Sequence, residues 1–149
     1  MKLSEDNVER IVRAVETIEA SLAVLSKKQS LSRSAYLTDR ESRDVVGRRF
    51  VKLTEATLDI AKTIIIHEQG TPPESNPASM VEMDAEGLFD ETTLAEMVQA
   101  ARFRNVLAHT YGDAIDHDDV YDALQDLNRY RDFLIDVRTY LREQGVLDD

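Results

Sequence analysis

One stretch of the 149-residue chain concentrates groups able to do chemistry: Arg102-Phe103-Arg104-Asn105-Val106-Leu107-Ala108-His109-Thr110-Tyr111. It holds two guanidiniums, a carboxamide, an imidazole and a phenol, with Val106, Leu107 and Ala108 as an apolar anchor between them. An imidazole moves a proton near neutral pH, and a guanidinium grips phosphate oxygens in a bidentate fork, so the pairing suits phosphodiester chemistry. RNA brings its own nucleophile, the 2′-hydroxyl, and needs no metal, cofactor or protein nucleophile. In-line cleavage is best served by a base for that hydroxyl and an acid for the leaving oxygen, yet the segment has one histidine. A two-fold homodimer would present two copies of the segment across its axis, and a composite site at a dimer interface is expected.

These residues need a helix. At about 100° per residue, Asn105 and His109 share a face as an i, i+4 pair. Arg104 lies one step around and reaches the same point through its length. Arg102 also falls on the His109 face, so geometry alone does not choose between the two arginines. His109 sits near a helix end, where backbone carbonyls favour its protonated form.

The rest of the chain reads as a bundle. Val8, Ile11, Val12, Val15, Ile18, Leu22 and Leu25 form one stripe on a helix from about Glu5 to Lys28, capped by Ser4. Thr38-Asp39-Arg40-Glu41 fits a capping box opening a second helix, which carries Val46, Phe50, Leu53, Ile60 and Ile64 and stops near Gly70. All three prolines fall between Gly70 and Pro77, a connection. A short helix within Ala78–Phe89 comes next, then the motif helix from Glu91 to about His109. A last helix runs from an Asp116 cap to about Gln144, ended by Gly145. The expected fold is all-α: four principal helices, up and down, plus a short inserted helix, in a single domain over residues 1–149.

Composition narrows the function. With no cysteine, a disulfide scaffold, a thiolate zinc site and a cysteine nucleophile are all excluded. No signal peptide is evident, and no apolar run approaches the roughly 20 residues that span a bilayer, so a cytoplasmic protein without membrane contact is expected. The net charge of −11 is awkward for a nucleic-acid enzyme, because phosphate repels such a surface. The acids are spread along the chain. A solvated acidic surface, screened in a salty cytoplasm, is favoured over an acidic partner-binding face.

Arg104-Asn105-Val106-Leu107-Ala108-His109-Thr110-Tyr111 closely resembles the Arg-x4-His-x-Tyr signature of HepT-like HEPN toxins, and the order of helices resembles theirs over nearly the whole chain. The resemblance implies a homodimeric, metal-independent ribonuclease toxin with Arg104 and His109 catalytic and Asn105 supporting them, as Arg102 also can. It further implies a minimal nucleotidyltransferase antitoxin that transfers AMP from ATP to Tyr111. The added bulk and negative charge would exclude RNA.

Other residues have plainer readings. His67 is a helix-end polar group. Asp116-His117-Asp118-Asp119 reads as an acidic first turn, with a spacing that matches no metal loop. Tyr121, Tyr130 and Tyr140 read as packing and surface residues. Arg48-Arg49 and Arg129-x-Arg131 can touch RNA, but i,i+4 pairing with nearby acids accounts for them equally. The motif itself can be structural, with Arg104 in an ion pair, and the alternatives to an enzyme are a structural helical dimer or a non-catalytic module. The module would dock a nucleotidyltransferase or bind nucleotide in the same cleft. Nucleotide affinity that survives His109→Ala without RNA cleavage would mark it.

Overall fold

The computed structural model describes residues 2–85, 87–109 and 115–146, with the backbone alone at 76, 77, 85, 108 and 109. Among the described residues seven helices follow in order: α1 (Glu5–Lys28), α2 (Arg33–Thr38), α3 (Arg40–Gln69), α4 (Asn76–Ala85), α5 (Glu91–His109), α6 (His117–Leu124) and α7 (Asn128–Glu143). No strand occurs among the described residues.

Helices α1, α3, α5 and α7 alternate in direction. Lys28 at the end of α1 donates to Ser42 at the start of α3, while Arg10 near the start of α1 faces Asp59. Phe103 near the end of α5 packs edge-on against Phe50 in the first half of α3. Helix α7 runs parallel to α3, with Tyr130 bonded to Thr54 and Tyr140 to Glu68. The all-helical, up-and-down architecture is thus the one the sequence implies.

Local chemistry sets the ends of the elements. The Ser4 hydroxyl accepts from the Asn7 amide at 3.1 Å and caps α1. Gly70 closes α3 at φ 82, a left-handed conformation that costs glycine nothing. Between the helices Ile11, Ile18, Leu25, Leu53, Ile60, Ile64, Phe133 and Val137 are buried, while Val12 of the expected α1 stripe is 41% exposed.

The structure departs from the sequence reading in three places. Ser32 caps an additional short helix, α2, which carries the fully buried Tyr36. The capping box does not form. Thr38 ends α2 and bonds back to Ser34, and Asp39 is the cap of α3 without a side-chain bond to its amides. The Asp39 carboxylate accepts instead from the Ser42 hydroxyl at 2.8 Å, which holds it below the usual carboxylate range. The final helix is two, α6 and α7, because the carbonyl of Leu124 is taken by the Gln29 side chain at the end of α1. Asp116 caps α6 as expected, accepting from the amides of Asp118 and Asp119.

Candidate active site on the fifth helix

Helix α5 carries the motif at its C-terminal end, and α1 and α3 wall the space beside it. Arg104 leans from α5 onto α3, with only 17% of its side chain exposed. Its Nη2 donates to Glu55 Oε1 at 2.5 Å and its Nη1 to Asn105 Oδ1 at 3.1 Å. The third nitrogen, Nε, is buried and has no acceptor among the described residues. The guanidinium is therefore fixed in direction by a carboxylate and an amide but not saturated.

Arg104 lines a groove of about 980 Å³ between α1 and α3. The wall is mixed in charge. Arg10, Arg13, Lys52, Lys62 and Arg104 stand among Asp6, Glu9, Glu55 and Asp59. Five cations against four carboxylates make this surface far less acidic than a chain of net charge −11, which relieves the electrostatic objection locally.

The sequence-expected residues are not all brought together. Arg104 and Asn105 are bonded to each other, and His109 closes α5 one turn beyond Asn105. Arg102 is exposed and does not line the groove. Tyr111 lies outside the described residues. Of the expected apolar anchor, Leu107 is buried at 9% exposure, but Val106 is 55% exposed and does not serve as one. Helix α5 turns that residue outward, between Asn105 and Leu107.

Glu55 was not foreseen. It lies 49 positions from Arg104, and no local pattern announces such a contact. The acidic start of α6 is accounted for by structure. Asp118 and Asp122 receive Arg33 of α2, whose guanidinium also lies 4.8 Å over the Tyr121 ring. Tyr130 and Tyr140 are buried core residues, as expected, and the Tyr121 hydroxyl donates to the carbonyl of Leu31.

The fold is similar to several solved structures. One is a toxin–antitoxin crystal structure with AMP-PNP, at 20% identity over 88% of this chain and 98% of that one, TM-score 0.79. Another is a tri-AMPylated Shewanella oneidensis HEPN toxin in complex with MNT antitoxin, at 20% identity over 87% and 97%, TM-score 0.78. A third is the Bacillus subtilis cytosolic protein YutE, of unknown function, at 19% identity over 100% and 99%, TM-score 0.80. At such identities the likeness establishes the fold. Among functionally curated proteins, none matches the chain. The family model described as Ribonuclease HepT-like matches residues 5–137, a span that includes the whole Arg102–Tyr111 motif, and the chain belongs to the HepT-like ribonuclease family.

Proposed function

We propose that this protein is a cytoplasmic toxin ribonuclease, one helical domain that cleaves RNA without metal as a homodimer. The observation that carries the reading is Arg104: nearly buried, aimed by Glu55 and Asn105 along a groove wall, and left with an unused donor. A purely structural ion pair has no need of an amide neighbour and an unpartnered buried nitrogen.

In the proposed reaction the RNA 2′-hydroxyl loses its proton to one His109 imidazole and attacks the adjacent phosphorus in line. The 5′-oxygen of the next nucleotide departs with a proton from the second copy's imidazole. The products are a 2′,3′-cyclic phosphate and a free 5′-hydroxyl. Arg104 holds the non-bridging oxygens as charge builds on them, and Asn105 keeps its fork in plane. Arg102, exposed on the same helix, adds positive charge at the edge.

Relatives of this fold were solved in toxin–antitoxin complexes, one of them AMPylated. By that likeness, the partner here is a minimal nucleotidyltransferase antitoxin. It passes the AMP of ATP to the Tyr111 phenol, with pyrophosphate leaving, and so adds a phosphate and a base where RNA must enter.

The test is cleavage of RNA by protein whose intact mass shows no added AMP, in chelator, at low and high salt. Wild type is expected to cut and to leave 2′,3′-cyclic ends. His109→Ala should lose about 10²–10⁴ in rate, the usual contribution of positioned proton transfer. Absence of cleavage by unmodified dimer would defeat the ribonuclease reading and favour the non-catalytic nucleotide-binding module.

A further inference from the structure

A second cavity, of about 530 Å³, lies where the first half of α3 meets the end of α5 and the start of α6. Arg40, Arg43 and Arg48 line it, with Asp44 as its one carboxylate among the described residues. None of the three guanidiniums has an ion pair or hydrogen bond among the described residues, although Asp44 stands one turn before Arg48. Pairing with neighbouring acids, which the sequence offered as the plain reading of Arg48, does not occur among the described residues. Arg40 and Arg43 moreover occupy the first turn of α3, where the positive end of the helix dipole disfavours cations.

Two further observations bear on this cavity. Gly47 sits in the interior of α3, where glycine weakens a helix relative to alanine. A Cβ built there meets nothing within 4 Å, so no packing demand explains its presence. The bare backbone at Gly47 forms an open floor with Arg43 and Arg48 on either side. In addition, two buried donors lack an acceptor: Arg43 Nε and the phenol of the fully buried Tyr36. Tyr36 adjoins this wall, its hydroxyl feeling the charges of Arg43 and Asp44 and its ring set edge-on to His117.

Unpaired guanidiniums around an open backbone are suited to phosphate, which they take in a bidentate fork. The position supplies the rest. Residues 40, 44, 47, 48 and 51 of this cavity continue at intervals of three and four into 52, 55, 59 and 62 of the Arg104 groove. They make one stripe on α3, about 33 Å long at about 1.5 Å per residue. Arg104 overlooks one part of that stripe, and Leu107, two residues before His109, overlooks the other. We infer that Arg40, Arg43 and Arg48 around Gly47 form a phosphate subsite that holds the RNA backbone beside the phosphodiester to be cut. The inference rests on the ribonuclease reading, and it extends the path of the strand along α3.

The experiment measures binding and cleavage separately. Binding of a single-stranded oligouridylate to His109→Ala protein is followed by fluorescence anisotropy over a salt series, and cleavage is followed in the His109 background. Each is compared with Arg40→Gln/Arg48→Gln and with Gly47→Leu, which fills the floor at constant charge and favours the helix. The double variant should lose at least about tenfold in affinity at low salt, and its salt slope should fall by about 1.4, near 0.7 per lost phosphate contact. In cleavage the loss should fall mainly on KM. Gly47→Leu should weaken binding while keeping its salt slope and its helical circular dichroism. Unchanged affinity and slope in the double variant would overturn the subsite, even where wild type cleaves RNA. Arginine-dependent binding without any cleavage would sustain the subsite and defeat the nuclease. A shift from dimer to monomer in sedimentation, with RNA affinity intact, would show the face to be a contact between copies and would also overturn it.

Discussion

The tyrosines of α7 and the donors beside the outer stripe of α3 are buried in opposite ways. On α7, the Tyr130 phenol meets Thr54 at 3.2 Å and the Tyr140 phenol meets Glu68 at 2.6 Å, beneath Phe133, which packs on Phe89. Beside the stripe, Tyr36 of α2, Arg43 of α3 and Arg104 of α5 each bury a donor that no described residue accepts, as Arg129 does at the start of α7. A buried polar group without a partner costs stability, about 1–3 kcal/mol for a neutral one. The two tyrosine hydroxyls of α7 are satisfied within the fold, whereas the donors beside the stripe are not. Such local disagreement with folding is the physical mark of a binding site.

The largest effect that sharpens the contrast lies in the core. Phe133→Ala removes a fully buried ring and should cost about 3–5 kcal/mol in chemical denaturation. Arg40→Gln, on the stripe, should leave stability within about 0.5 kcal/mol, as exposed substitutions do. A comparable loss from both would erase the distinction.

A smaller comparison uses a single oxygen on each side. Tyr130→Phe breaks the bond to Thr54 and should cost about 1 kcal/mol, whereas Tyr36→Phe deletes an unpaired hydroxyl and should be neutral or stabilising by up to about 1 kcal/mol. Alkaline titration carries the same contrast. Burial pushes the Tyr36 phenol up to about 12, with nearby Arg43 opposing and Asp44 reinforcing the rise. A raised value means that the stabilisation is complete below the free phenol's range near pH 10 and is lost as the pH climbs towards 12. Tyr36→Phe should therefore flatten part of the decline in stability between about pH 10 and 12. The remainder belongs to Tyr130 and Tyr140, which burial also raises. An identical alkaline decline in the variant would show that Tyr36 is not buried as described.

Much of this was legible in the residues, for identifiable reasons. The long helices announce themselves through apolar positions at threes and fours, and Ser4, Gly70 and Asp116 mark their ends by side-chain or backbone chemistry. The break between α6 and α7 was hidden because Val120, Leu124, Leu127 and Leu134 continue one period straight across it. What ends α6 is a side chain from 95 positions away, Gln29, bonded to Leu124. Helix α2 was missed because six residues hold too little of a period, and a single buried tyrosine anchors it. Residue types marked the Arg102–Tyr111 segment, but Arg104 was preferred to Arg102, with Asn105 in support, only through the family resemblance, because helix geometry left both arginines open. The Arg104 partner Glu55, and the convergence of Arg40, Arg43 and Arg48 with the end of α5, depend on how α3 and α5 pack, and no sequence interval encodes that.

The most direct test of the central claim watches the unsatisfied donors themselves. In His109→Ala protein, the Nε–H resonances of Arg43 and Arg104 can be followed by ¹⁵N NMR as a single-stranded oligoribonucleotide is added. Both should move in step with RNA occupancy, while that of Arg33, already paired with Asp118 and Asp122, stays in place. If RNA binds and the Arg43 and Arg104 signals do not move, these donors are not waiting for phosphate, and the contrast drawn between the two faces is wrong.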